Sequence, residues 1–145
     1  MKKKLTLLLA AAALTLPAQN ADERISTLIN DNQWFALQQT LAQTPRKDVS
    51  PMLYELATSL TFHHFNQPDS AIAHTRLLLQ NYQTELGVAN ALNMAVLLSS
   101  DMARAGQYAQ AADLMESLSR QVQAQGADSA SVSQMRQTGG PYRPP

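Results

Sequence analysis

The chain has 145 residues, enough for one domain, of which 45% are hydrophobic and 15% charged. Alanine, leucine and glutamine are prominent and β-branched runs are few, which favours a helical domain over a sheet protein or a disordered chain. There is no cysteine, which excludes a disulfide, a thiolate nucleophile, a thiolate metal site and a lipid-modified cysteine.

Met1-Lys2-Lys3-Lys4 is a positively charged start, followed by an apolar run of twelve residues from Leu5 to Leu16. That run is too short to cross a bilayer and has the length of a signal-peptide core. Pro17 breaks it and Ala18 offers a small residue for cleavage before Gln19. Leu16 stands where a second small residue is preferred, so cleavage after Gln19 stays open. Residues 1–18 are therefore expected to be a signal peptide, of bacterial appearance, that sends the chain to the periplasm or outside the cell. With the three lysines removed, eight basic residues face eleven acidic ones, a net charge of about −3. A mildly acidic chain without a basic stripe argues against a nucleic-acid partner. No stable membrane insertion is expected once the signal has gone.

Ala21 to Asn30 places Ile25, Leu28 and Ile29 at helical spacing, with Asp22 and Glu23 at the positive end of the dipole. After an Asp31-Asn32 turn, Gln33 to Gln43 sets Trp34, Leu37 and Leu41 on one stripe. Thr44 to Asp48 reads as a loop, and Ser50 with Pro51 starts a third helix that runs to Phe65. Leu53, Leu56, Ala57, Leu60 and His64 lie down one side of it. A second turn at Asn66-Gln67-Pro68-Asp69 leads to a fourth helix, Ser70 to Tyr82, with Ala71, Ala73, Leu77 and Leu78 as contacts and Asp69 as cap. Thr84 to Arg104 is a long fifth helix carrying Leu92, Ala95, Val96, Ser99, Met102 and Ala103. Gly106 ends it in a left-handed conformation. A sixth helix follows with Tyr108, Ala111, Ala112, Met115, Leu118 and Val122. After Gly126 the stripe stops, and residues 127–145, rich in Ser, Gln, Gly and Pro, are expected to be a disordered tail.

The three turns align, bringing Leu37, Ala71 and Ala111 into register at separations of 34 and then 40 residues. A helix–turn–helix unit of about 34 residues is the tetratricopeptide period, and residues 19–126 resemble a short array of that kind. The expected fold is all-α: three antiparallel helix hairpins in a tetratricopeptide-like, right-handed repeat array. The six residues by which the second interval exceeds the period are assigned to added helix, or to a longer connection between Gln80 and Gly87. No polar capping helix is evident, so the outer face of the sixth helix is expected to need a cover, such as a second copy in a homodimer.

A further resemblance rests on Trp34-Phe35-Ala36-Leu37, on Phe65-Asn66-Gln67-Pro68-Asp69-Ser70-Ala71, and on Asn81-Tyr82-Gln83-Thr84-Glu85-Leu86-Gly87. These runs resemble the helical N-terminal region of exported bacterial retropepsin-like aspartyl proteases. In that family a catalytic domain with Asp-Thr-Gly or Asp-Ser-Gly follows the helices. Neither tripeptide occurs here: Thr138-Gly139-Gly140 follows Gln137, and Asp128-Ser129 precedes Ala130. The resemblance thus implies a non-catalytic half, accessory to or truncated from such a protease.

The remaining chemistry is sparse. His63 and His64 are adjacent and point about 100° apart on a helix, and His74 lies on the next one, so no metal-ligand spacing exists. No acid is placed in sequence to pair with the imidazoles, and the acidic residues read as singly dispersed on helical surfaces, most of them solvated. Ser99-Ser100-Asp101 lacks a nucleophile motif, and Ser99 reads as a packing residue. Met94, Met102 and Met115 read as core. No cofactor, metal or catalytic residue is expected, and the chain is taken as a non-enzyme that binds a protein or peptide. The partner-binding surface is expected from Leu56, Leu60, His63 and His64 of the third helix with Asn93, Val96, Ser100 and Arg104 of the fifth. Core burial of Leu56 and Leu60 is the competing expectation.

Overall fold

The computed structural model of the protein describes residues 17–124, with side chains from Ala21 onward. The expected signal peptide, but for its last two residues, and the expected tail lie outside the described residues. Within them the chain is all-helical: α1 (Pro17–Asn30), α2 (Trp34–Gln43), α3 (Pro51–His64), α4 (Pro68–Leu86), α5 (Val88–Arg104) and α6 (Tyr108–Ala124). A single 3₁₀ turn, Arg46–Asp48, lies between α2 and α3. Prolines open α1, α3 and α4, where the missing N–H costs no helical hydrogen bond.

Three of the connections share one backbone conformation. At the ends of α1, α3 and α5, residues Asn32, Asn66 and Gly106 take φ values of 58°, 56° and 83°. Each donates its N–H three residues back, to Ile29, His63 and Ala103 respectively. The following glutamine, Gln33, Gln67 or Gln107, donates five residues back, to Leu28, Phe62 or Met102. This pair of bonds is the Schellman closure, which satisfies carbonyls that a helix end would leave bare. The same glutamines then accept from the N–H groups of Leu37, Ala71 and Ala111 as the next helix begins. Those three residues, equivalent by sequence spacing, are each 0% exposed.

The longer second interval lies in the helices. α4 and α5 have 19 and 17 residues where α2 and α3 have 10 and 14. Gly87 alone joins α4 to α5. Its φ of 89° and ψ of 157° are open to glycine almost exclusively. Thr84, expected to cap the fifth helix, instead lies inside α4. The expected end of the fourth helix at Tyr82 coincides with a kink, where φ is −131° and ψ 20°.

α3 is the hub, meeting α1, α2 and α4, and the packing then runs from α4 to α5 and from α5 to α6. Its start is capped from α1: Asp22 accepts from the N–H of Ser50 at 2.9 Å and from the Ser50 hydroxyl. Ile25, Ile29, Leu37, Leu53, Leu56 and Leu60 form the principal core with Leu78, Leu86 and Met94. Two smaller clusters, one around Met115 and Val122 and one around Ile72, Leu98 and Met102, seat α6. Leu79 packs against all three. α4 buries Ala71, Ile72, Thr75, Leu78 and Leu86, whereas Ala73 and Leu77, expected as contacts, are exposed. Ser99 packs between helices as expected and donates to the carbonyl of Ala111 at 3.1 Å. Exposed positions of α6 include Tyr108, Gln110, Asp113, Arg120 and Gln123.

Candidate functional site

Two kinds of feature stand out on the molecule, histidine contacts that join helices and an open apolar groove. The first of the histidine contacts is a row across the ends of α3 and α5 and the start of α2. His64, the last residue of α3, stacks on Trp34, the first of α2, with ring centroids 3.9 Å apart and planes 11° apart. His63 meets His64 edge-on at 5.0 Å. On its other side His63 Nδ1 lies 2.8 Å from Asp101 Oδ1, and Arg104 Nη1 donates to the His63 carbonyl at 3.2 Å. Trp34, His63, Asp101 and Arg104 therefore tie three helix ends that the backbone leaves separate.

Asp101 is 1% exposed, and its second oxygen, Oδ2, has no donor among the described residues. Burial of His64 under Trp34, with the electrostatics of His63 and Arg104 near by, lowers its pKa from the usual 6.5 to about 4; the Asp101 carboxylate opposes that shift. His64 stands neutral at pH 7 as a result.

A second histidine pair links α3 to α4. His74 Nδ1 lies 2.9 Å from Glu55 Oε1, and Phe62 stacks on the His74 ring with centroids 5.4 Å apart. Glu55 is buried, and its other oxygen faces Arg46, 3.7 Å away, whose guanidinium lies over the Tyr54 ring. Two of the acids read as solvated are thus buried histidine partners. Their sequence distances from those histidines, 38 and 19 residues, hid the pairing.

The other feature is an open groove of about 460 Å³ between the C-terminal half of α4, the start of α5 and the second half of α6. Leu79, Val88, Leu92, Leu114, Leu118 and Val122 make its walls, with Gln83, Thr84 and Gln121 at polar positions. Among the described residues no charged or titratable side chain lines it. The kink at Tyr82 and the one-residue link at Gly87 turn the end of α4 relative to α5, so the long fourth helix is what builds this groove.

The residues expected to share a concave surface are divided between these regions. Leu56 and Leu60 are 0% exposed and belong to the core, the competing expectation for them. α3 is covered on several sides, which leaves those leucines no groove to line. His63 is buried against Asp101. His64 and Arg104 are exposed, and Asn93, Val96 and Ser100 are half-buried on α5. Trp34, Asp101 and Glu55 were missed, as were the groove leucines. Only the single tryptophan at a helix start carried a sequence signal. Among the described residues no cluster of three or more His, Asp or Glu could hold a metal ion, and no helix is long and apolar enough to cross a membrane. No known protein family, curated protein or solved structure matches the chain.

Proposed function

We propose that the chain is an exported module that binds a protein or peptide partner, its helices arranged as three tetratricopeptide-like antiparallel hairpins. Three turns of identical hydrogen bonding, each followed by a fully buried residue at the same position, support the repeat. The observation that carries the binding reading is the groove beside α5. It is open, aliphatic and uncharged, which suits an apolar face of another chain and offers no acid, base or nucleophile for chemistry. Burial of such a face would contribute about 25 cal/mol for each Å² of apolar surface removed from water.

An array of short apolar and amphipathic peptides, probed with the chain and with Leu92→Glu, tests this. Leu92 is only half-buried, so a carboxylate there should spare the helical circular dichroism while removing the peptides held by the groove. Peptides held equally by both proteins, or no peptide held at all, would remove the groove from consideration.

A further inference from the structure

The row of side chains joining α2, α3 and α5 carries an inference independent of partner binding. Trp34 and His64 make the stacked contact between the start of α2 and the end of α3. His64 is at the last position of its helix, with one ring face against the indole and the residue otherwise exposed. Its side chain can therefore turn into water without opening the core that Leu37, Leu56 and Leu60 help to form. We propose that the Trp34–His64 stack is an acid-sensitive latch, closed while His64 is neutral and opened when it takes up a proton.

The charges acting on the ring are His63 on its own helix and Arg104 and Asp101 on α5; none from α1 or α4 is among them. α2 contributes the Trp34 ring and no charged side chain anywhere along its length. A proton on His64 places a cation beside Arg104 and His63 and beneath an apolar ring, with the nearest carboxylate, Asp101, already engaged by His63. Attraction between an imidazolium and an indole face opposes release. Loss of water from one face and the electrostatics of His63 and Arg104 act the other way, and they prevail in holding the proton off until about pH 4.

Trp34 is the only tryptophan in the chain, so tryptophan emission reports the surroundings of this one side chain, the His64 stack and its packing on the core. The experiment is an emission titration between pH 7 and pH 3 with far-ultraviolet circular dichroism followed in parallel. The latch predicts a red shift of Trp34 emission with a midpoint near pH 4 while helicity is retained. His64→Phe, which keeps a flat ring but cannot titrate, should abolish the transition. Arg104→Gln, which removes one opposing charge, should move the midpoint upward towards 6.5. A quench without red shift would mean that the protonated ring stays stacked, and the latch would be wrong. It would be equally wrong if emission and helicity changed together, if emission did not change, or if the transition persisted in His64→Phe.

Discussion

At the scale of single residues, two carboxylates are held inside the molecule by imidazoles. Asp101 accepts at one oxygen from His63, assigned here as carrying the Nδ1 proton, and leaves the other without a donor. A buried acceptor without a partner is costly, and the same holds for a buried donor. Asp101→Ala strips His63 Nδ1 of its acceptor and should lower stability by about 1–3 kcal/mol, read as a fall in the urea midpoint. The pH dependence of His64 has a definite sign. Its folded pKa, about 4, is below the unfolded value of 6.5, so unfolding takes up a proton between those limits. The contribution of His64 to stability is complete above pH 6.5 and is lost as pH falls towards 4. Water at the exposed edge of the ring screens part of the effect. Comparing urea midpoints of the chain and of His64→Phe across that window should show a shallower acid slope in the variant.

At the scale of elements, the recurring turn is the unit from which the molecule is built. Asn32, Asn66 and Gly106 occupy the same left-handed position, which asparagine tolerates better than other side chains. A Cβ added at Gly106 would meet nothing within 4 Å, so the cost of Gly106→Ala is one of backbone conformation. That substitution should destabilise the chain by about 1–2 kcal/mol. Gly106→Asn should cost less, because the other two turns already use that residue. Gly87 holds a region closed even to asparagine, and Gly87→Ala should cost about 1–3 kcal/mol. Thermal unfolding of the three variants orders them: Gly106→Asn nearest to the parent, both alanine variants below it. The helix count, the turn positions and the burial of Leu37, Ala71 and Ala111 were all legible in the sequence. A local hydrogen-bond pattern and a 3.6-residue stripe need only neighbouring residues to declare themselves. The boundary between α4 and α5 was not legible, because two helices joined by one glycine keep an almost continuous periodicity across it.

At the scale of the whole molecule, one core organised by α3 is extended by two smaller clusters under α6, with Leu79 packed against each. The exposed positions of α6 are mostly polar, with Tyr108 its one large exposed ring. A monomer is therefore expected by light scattering. A dimer that dissociates in Leu92→Glu would instead identify the groove as the place where copies meet. Of the expected binding surface, only His64, Asn93, Val96, Ser100 and Arg104 retain access to solvent. The larger apolar surface lies towards the start of α5, at Val88 and Leu92.

The sequence by itself determined an all-helical chain, the three equivalent turns, and the core positions of Met94, Met102, Met115, Ala71, Ala111 and Ala112, since these follow from local bonding and from apolar periodicity. The tertiary structure alone decided which helix would be surrounded, and with it the fate of Leu56 and Leu60, since a stripe shows that a face is covered without showing how many neighbours cover it. It also decided the partners of His63, His64 and His74. Those contacts join residues far apart in the chain through side chains whose own helices pack for other, apolar reasons. The groove beside α5 is of the same origin: each leucine in its wall obeys its own helix, and the space between them exists only because α4 is long, bends at Tyr82 and turns back at Gly87.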